Sequence, residues 1–188
     1  MKIGFCGTMS VGKTTLVNAL KELPEFKDYH FRTERSKHLM NLGIHLNTDS
    51  TLKGQLVFAS ERAAELMQEK IITDRTVIDV MAFSELSKSM EAHEKHYLNA
   101  TLYYLIDEYD ILFYVSPEGV EIEDNGVRET DADYRDAIDK KIKSNIQMFR
   151  SNAITIKGTV EERIEQVKNA VAQYVYHIIW PNKTSNKS

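Results

Sequence analysis

A glycine-rich stretch near the start of the chain limits what the fold can be. Residues 7–14 read Gly-Thr-Met-Ser-Val-Gly-Lys-Thr, which matches the pattern G-x-x-x-x-G-K-[ST]. The match follows a short apolar run, residues 2–6, that is typical of a buried strand, and it opens a predicted helix. A strand, a glycine-rich turn and a helix in this order turn backbone N–H groups toward phosphate oxygens. The sequence therefore predicts a phosphate-binding loop.

The residue types in this loop suggest separate roles. Gly7 and Gly12 let the backbone curl around an anion. Lys13 supplies a cation for the β and γ phosphates of a nucleotide, and the hydroxyl of Thr14 is a candidate Mg²⁺ ligand. The predicted nucleotide-binding residues are Gly7, Thr8, Ser10, Val11, Gly12, Lys13, Thr14 and Thr15.

Beyond the loop, short apolar runs alternate with longer amphipathic stretches. Further strands are expected at residues 29–33, 71–73, 111–115 and 153–156, and helices at 14–21, 34–42, 51–69, 77–90, 92–109, 131–150 and from 159. Strands separated by helices of this length predict an α/β fold, with a mainly parallel sheet and helices on both faces. No repeat or interdomain linker is visible, so we expect one domain over residues 1–180 and a polar tail at 181–188.

Composition excludes several classes of protein. The 188 residues carry 24 basic and 28 acidic side chains, which argues against a uniformly basic nucleic-acid-binding protein but permits a local basic groove. The single cysteine, Cys6, excludes a disulfide framework and a cysteine-rich zinc site. No apolar stretch approaches the ~18 residues of a membrane span and no signal-peptide pattern is present. We therefore expect no membrane partner and a cytoplasmic location, which is the host cytoplasm if a phage encodes the chain.

Two pairs of neighbouring residues, each with one acidic and one basic side chain, lie at the ends of predicted strands. Asp74 and Arg75 end one strand, and Glu34 and Arg35 follow another. Because the carboxyl ends of parallel strands line the ligand crevice, both pairs are candidates for the site. Asp74 is a candidate Mg²⁺ ligand and Arg75 a candidate phosphoryl clamp. Either Glu34 or Asp74 can serve as the base that accepts a proton from an attacking hydroxyl. Gln55, on the predicted long helix, is a candidate for reading a base edge, but a simple exposed glutamine is the favoured expectation.

The polar segment from about residue 117 to 134 is the longest irregular stretch and predicts a mobile lid. Arg128 lies within it and Arg135 follows it. Loop arginines next to a helix suit a lid that closes over phosphates and neutralises the charge of a phosphoryl-transfer transition state.

In this order the motifs resemble those of the AAA-type P-loop kinases, which are related to the ribosylnicotinamide kinase domain and to phage nucleotide kinases. The resemblance spans about residues 2–175 and is carried by the loop, by residues 33–35, by residues 74–79 and by residues 124–131. It implies a P-loop NTPase fold, a three-layer sandwich around a five-stranded parallel sheet in the order 2-3-1-4-5. ATP as donor and Mg²⁺ as cofactor are implied as well.

The resemblance also implies roles for individual residues. Glu34, Asp74 and Arg75 would face the acceptor, with Asp79 supporting that site. Arg128 and Arg135 would serve the lid. The candidate catalytic residues are thus Lys13, Glu34, Asp74, Arg75, Arg128 and Arg135, and the candidate metal ligands are Thr14 and Asp74.

The first interpretation is an ATP-dependent kinase acting on a nucleoside, a nucleoside monophosphate or a related nucleotide. A kinase for a hydroxyl in DNA, on a terminus or a modified base, stays open because a basic patch lies near the acceptor side. That patch consists of Arg32, Arg35, Lys37 and His38. A nucleotide-dependent ATPase switch without a small acceptor also stays open, as does a homodimer. A GTPase is disfavoured because no Asn-Lys-x-Asp motif occurs.

Overall fold

Five parallel strands carry the fold in the computed structural model, which describes residues 1–33, 35–119 and 132–179. The strands are β1 (Lys2–Cys6), β2 (His30–Arg32), β3 (Ile71–Asp74), β4 (Ile111–Val115) and β5 (Ile154–Ile156). The helices are α1 (Lys13–Lys21), α2 (Ser36–Asn41), α3 (Leu52–Glu65), α4 (Val77–Glu85), α5 (Ala92–Ile106), α6 (Ala132–Phe149) and α7 (Val160–Ile179). The sheet order is β2-β3-β1-β4-β5, which confirms the predicted α/β P-loop NTPase fold.

The strand register brings the carboxyl ends of the three central strands side by side. Phe5 of β1 pairs with Asp74 of β3 on one side and with Phe113 of β4 on the other. The chain leaves β1 just after this point, at Gly7. The predicted phosphate-binding loop therefore lies in the crevice at the carboxyl edge of the sheet, where ligands of open α/β sheets bind.

Alternate side chains of the sheet divide the core into two layers. Phe5 and Phe113 point to the same side, where their rings stack with centroids 5.0 Å apart. On this side the sheet packs on buried residues of α1 and α7, namely Leu16, Val17, Leu20, Val167 and Ala170. Cys6, Leu112 and Tyr114 point to the other side, where they pack with α3, α4, α5 and α6. The two layers of helices and the sheet form the expected three-layer sandwich.

Because Gly4, in the middle of β1, has no side chain, Thr76 and Tyr109 can approach this strand closely. A Cβ at this position would lie 2.6 Å from Cγ2 of Thr76 and 2.7 Å from Cδ1 of Tyr109. The Tyr109 ring is fully buried and fills the space where a β1 side chain would stand. Thr76, the residue that caps α4, is thereby held against β1 next to the phosphate-binding loop.

Several helices end earlier than the sequence predicts, two of them by four residues or more. The helix expected over residues 51–69 ends at Glu65, and the helix expected over residues 77–90 ends at Glu85. Beyond α4, the hydroxyl of Ser87 donates to the carbonyl of Ser50 at 2.6 Å, and the N–H of Lys88 donates to the carbonyl of Thr48 at 2.8 Å. These contacts hold the chain against residues 47–50 and draw it out of helical geometry.

Cys6 is fully buried at the end of β1, where its Sγ donates to the carbonyl of Phe113 at 3.4 Å. Burial raises the pKa of this thiol well above its ordinary value. Within residues 1–33, 35–119 and 132–179, no helix combines the length and the apolar character needed to cross a membrane.

Candidate functional site

The loop between β1 and α1 has the backbone geometry of an anion cradle. Gly7 and Gly12 have φ of 153° and 78°, and Ser10 between them has φ of 56°. A Cβ at position 7 would lie 2.8 Å from the carbonyl oxygen of Val115, and a backbone atom of β4 has little freedom to move away. Positive φ favours glycine because it lacks a Cβ. The two glycines of the motif are therefore required by the path of the loop.

Lys13 closes the loop from inside. Its Nζ donates to the carbonyl oxygens of Gly7 and Thr8, both at 2.6 Å, and its side chain is only 5% exposed. Burial and the nearby Arg75 guanidinium together lower the pKa of Lys13 to about 8, although Asp79 and Asp74 oppose the shift. An amine held by two neutral carbonyls can exchange them for phosphate oxygens, which bind a cation more strongly.

Thr14 and Asp74, the two candidate metal ligands, are in direct contact. The Thr14 hydroxyl donates to Oδ2 of Asp74 at 2.5 Å. The second carboxylate oxygen of Asp74, Oδ1, is buried and has no hydrogen-bond partner among the described residues. Mg²⁺ prefers oxygen ligands and is commonly held by one or two carboxylates together with substrate phosphates. The hydroxyl, the carboxylate and its unpartnered oxygen therefore fit this ion.

Asp79 joins the phosphate-binding loop to the chain after β3. Its Oδ1 accepts the N–H of Gly7 at 3.2 Å, and its Oδ2 accepts the N–H of Thr76 at 2.8 Å and the Thr76 hydroxyl at 3.0 Å. Burial raises the pKa of Asp79, although the cations of Lys13 and Arg75 counteract this effect. One buried carboxylate thus sets both the start of the loop and the cap of α4.

Arg75 adopts a conformation that is unusual for a residue with a side chain. Its φ is 81°, in the left-handed region, which is costly for residues other than glycine and is often found at functional sites. Its Nη1 lies 3.8 Å from Oδ1 of Asp79, and its guanidinium carbon lies 4.9 Å from the centre of the Phe83 ring. Phe83 in turn makes an edge contact with Tyr134 of α6. This chain of contacts leads from Asp74 and Arg75 to the start of α6.

A second contact links α6 to the phosphate-binding loop. The buried hydroxyl of Thr8 donates to the backbone carbonyl of Arg135 at 3.0 Å, so the first turns of α6 are tied to the loop directly. Arg128 and most of the predicted lid fall in residues 120–131, outside the described residues, as does Glu34.

Four of the six candidate catalytic residues are therefore described. Three of them, Lys13, Asp74 and Arg75, lie together. The backbone carbonyl of the fourth, Arg135, accepts a hydrogen bond from Thr8 in the phosphate-binding loop. Thr15 is exposed on α1. Arg35 is also exposed and pairs with Glu61 of α3 at 3.1 Å.

Sequence reasoning missed Arg163, in the first turn of α7. This side chain is 3% exposed, and its Nη1 donates to the carbonyl of Val11 in the phosphate-binding loop at 2.5 Å. One signal could have found it. Arg163 follows Val160 by three residues and precedes Val167 by four, so a charged residue occupies the apolar face of an amphipathic helix.

The expectation for Gln55 was wrong. The side chain is 4% exposed, because it lies on the same face of α3 as Ala59 and Arg62, which are buried as well. That face is the one that α3 turns toward α4 and α5. The glutamine amide is thus enclosed between α3 and the helices that pack on it.

An open cleft lies at the start of α7, beyond the end of β5. It has a volume of about 860 Å³ and is predominantly acidic. Its lining residues are Glu118, Lys157, Gly158, Glu161, Glu162, Glu165 and Gln166. Arg163, between two of these residues in sequence, connects this end of α7 to the phosphate-binding loop.

Comparisons with known proteins bear on the fold and the family. A family model described as "AAA domain" matches residues 2–163. A search of curated proteins found no match.

Three solved structures have a similar fold. Deoxyadenosine kinase from M. mycoides, with the products dCMP and a flexible dCDP bound, is 16% identical with a TM-score of 0.59, covering 92% of this chain and 99% of that one. The same kinase with bound dCTP is 17% identical with a TM-score of 0.60, covering 92% and 100%. NadR protein in complex with NR is 16% identical with a TM-score of 0.68, covering 92% of this chain and 50% of NadR.

Proposed function

The chain belongs to the AAA domain family, and we propose that it is an ATP-dependent kinase acting on a nucleoside, a nucleoside monophosphate or a related nucleotide. The observation that carries this proposal is the contact of Thr14 with Asp74 beside the buried Lys13. A phosphate-binding cation and a pair of oxygen ligands meet at the carboxyl ends of two adjacent strands. Phosphoryl transfer requires this combination because its catalysis depends mainly on positioning and on charge neutralisation.

Each residue around the loop has a distinct part in this proposal. The loop N–H groups bind the donor phosphates, and Lys13 exchanges its two carbonyl partners for phosphate oxygens. Thr14 and Asp74 would hold Mg²⁺, which would supply positive charge that neutralises the phosphates. Asp79 keeps the N–H of Gly7 in place. We assign the base of the donor to the cleft at the start of α7, which Arg163 connects to the phosphate-binding loop.

Two acidic residues were candidates for the base that takes a proton from the acceptor. Because Asp74 contacts Thr14, we assign it to the metal, which leaves Glu34 as the proposed base. Arg75, Arg128 and Arg135 are proposed to stabilise the transferring phosphoryl group. Support for Arg75 comes from its position beside Asp79 and Lys13.

The acceptor class is proposed from the bound molecules of the similar structures. Those structures contain deoxycytidine nucleotides in a deoxyadenosine kinase and NR in NadR. All are small molecules, which supports a small nucleoside-like acceptor for this chain.

A screen for ATP consumption tests the proposal. The purified chain is supplied with ATP and Mg²⁺ and with nucleosides, nucleoside monophosphates, nicotinamide riboside or a DNA oligonucleotide in turn. We expect one small acceptor to stimulate ADP release and to receive the labelled γ-phosphate. Lys13→Ala should abolish transfer while its circular dichroism spectrum stays that of the wild type. Full activity in Lys13→Ala, or ATP turnover that no acceptor stimulates, would contradict the kinase assignment.

DNA as acceptor is the second candidate, because the basic patch predicted from sequence is exposed. Arg32, Arg35, Lys37 and His38 all lie on the surface around β2 and α2, at the edge of the sheet. Labelled phosphate on the oligonucleotide would favour this candidate. Its rate should then fall steeply with added salt, because each phosphate contact releases counterions.

A further inference from the structure

We infer that Arg163 is a positioning residue for the donor nucleotide. Its guanidinium holds the phosphate-binding loop in shape, and its positive charge is neutralised by the bound polyphosphate. The inference rests on the proposed ATP-dependent function. It adds to that site a residue that is distant in sequence, because Arg163 lies 152 positions from Val11, the residue that it contacts.

The first support is the set of donors for the loop carbonyls. A loop that turns its N–H groups toward an anion must turn its carbonyls away, and a buried carbonyl needs a donor. Lys13 supplies donors to two of these carbonyls, and the N–H of Leu16 supplies one to the carbonyl of Gly12. The carbonyl of Val11, a residue that is 1% exposed, receives its donor from Arg163.

The second support is the close packing of the guanidinium on the loop. A Cβ at Gly12 would lie 3.3 Å from Nη1 of Arg163. Gly12 directly precedes Lys13 and has the left-handed backbone that turns the chain into α1. Arg163 therefore packs on the residue whose conformation aims both Lys13 and Thr14.

The third support is the charge of Arg163. In the part of the chain that the structure describes, no carboxylate forms an ion pair with it, and its Nε has no hydrogen-bond partner. Burial lowers its pKa. A buried cation without a counter-charge is unfavourable, and a polyphosphate in the adjacent loop carries the missing charge.

Arg62 is a buried arginine in this fold that does have a carboxylate partner. It is 3% exposed, like Arg163, but its Nη2 pairs with Oε1 of Glu65 at 2.6 Å. That pairing raises the pKa of Arg62 despite the opposing effect of burial. The two arginines are equally buried and each has an Nε without a hydrogen-bond partner among the described residues, but only Arg62 has a carboxylate partner, so Arg62 offers a matched control.

Three variants of the full chain separate charge from hydrogen bonding. Arg163→Lys keeps the charge, Arg163→Gln keeps a donor without charge, and Arg163→Met keeps neither. Calorimetry with Mg²⁺ and a non-hydrolysable ATP analogue gives the Kd, and thermal unfolding without nucleotide gives the Tm. We expect the Kd to rise about tenfold or more in Arg163→Gln and further in Arg163→Met, with Arg163→Lys within about threefold of wild type. The KM of the acceptor should change less than about twofold.

Arg62→Gln is measured alongside and should lower the Tm without changing the Kd. An Arg163→Gln variant with the Kd of wild type would overturn the inference. So would an equal rise in Kd for Arg62→Gln, because it would indicate general loosening of the fold. If Arg163→Met fails to fold, the comparison of Arg163→Lys with Arg163→Gln still decides. Failure of the wild-type chain itself to bind the analogue would refute the proposed function as well, whereas wild-type binding with unchanged variants refutes this inference alone.

Discussion

Thr14 and Asp74 share a 2.5 Å hydrogen bond that joins the first turn of α1 to the last residue of β3. The contact follows from the sheet register, because β1 and β3 are parallel neighbours and Phe5 pairs with Asp74. It leaves Oδ1 of Asp74 buried without a partner among the described residues. The hydroxyl and the carboxylate are therefore brought together by the fold itself.

Asp74→Asn is expected to weaken the use of Mg²⁺. The amide has the same size but lacks the charge that attracts the ion, so the rate should fall about 10–100-fold or more and half-saturation should need more Mg²⁺. The measurement is the rate against free Mg²⁺ at saturating ATP. Thr14→Ser keeps the hydroxyl and serves as the control with near-normal behaviour. Superimposable Mg²⁺ curves for Asp74→Asn and wild type would remove Asp74 from the metal site.

ATP affinity is expected to fall as the pH rises above about 8. Lys13 has a pKa lowered to about 8 in the free protein, and only its protonated amine attracts phosphate. Above that value the affinity should drop by up to about tenfold per pH unit, because binding must first restore the proton. Calorimetric Kd values between about pH 7 and 9.5 test this. Lys13→Met should bind weakly and with little pH dependence, and a flat wild-type profile would contradict the prediction.

The same lowered pKa predicts how the stability of the nucleotide-free protein changes with pH. Between about 8 and the ordinary lysine value of 10.5, the unfolded chain holds the Lys13 proton more often than the folded chain. The Lys13 contribution to the free energy of unfolding should therefore rise with pH in this window. Denaturation of wild type and Lys13→Met across these pH values isolates the contribution, and parallel curves would refute it.

Asp79→Asn is expected to damage both stability and ATP binding. One carboxylate oxygen becomes an NH₂ group, which conflicts with the N–H donors of Gly7 or Thr76. We expect a loss of about 1–3 kcal/mol in the free energy of unfolding. Denaturant titration and calorimetry with ATP measure the two effects. Glu65→Gln alters a buried carboxylate on α3 and should lower stability alone, so an equal loss of ATP affinity in both variants would count against a specific role for Asp79.

Thr8→Val is expected to slow phosphoryl transfer more than it weakens ATP binding. The substitution keeps the shape but removes the hydroxyl that donates to the carbonyl of Arg135, which frees the start of α6 from the loop. We expect kcat to fall about tenfold, with the Kd of ATP changed by less than about threefold. Thr8→Ser retains the donor and should behave as wild type. A larger change in Kd than in kcat would show that Thr8 acts on the donor alone.

The fold and the centre of the site could be predicted because their signals are local. Residues 2–14 contain a strand, a glycine-rich turn and a lysine in the order that the phosphate-binding loop requires. Asp74 could be placed as well, since any residue that ends a central parallel strand lies at the same edge of the sheet. In each case the position follows from the neighbouring residues and one rule of topology.

Contacts between distant parts of the chain could not be predicted in this way. Arg163 contacts Val11 only because α7 packs beside α1, although three crossover connections separate the two helices along the chain. Similarly, α4 ends at Glu85 because Ser87 and Lys88 bond to the loop at residues 47–50, although the local sequence continues to favour a helix. Gln55 is buried for the same kind of reason, because helices from later in the chain cover its face of α3.

The hydrogen bond from Thr8 to Arg135 also affects how well the chain tolerates insertions. Gly7 lies against the end of β4, so this bond fastens both β4 and α6 to the same few residues. The sequence between positions 119 and 132 therefore starts and finishes at fixed anchors. Doubling the length of the chain that joins two fixed anchors costs only about 0.6 kcal/mol in closure entropy. An insertion between these anchors should therefore cost little stability and leave the phosphate-binding loop in place.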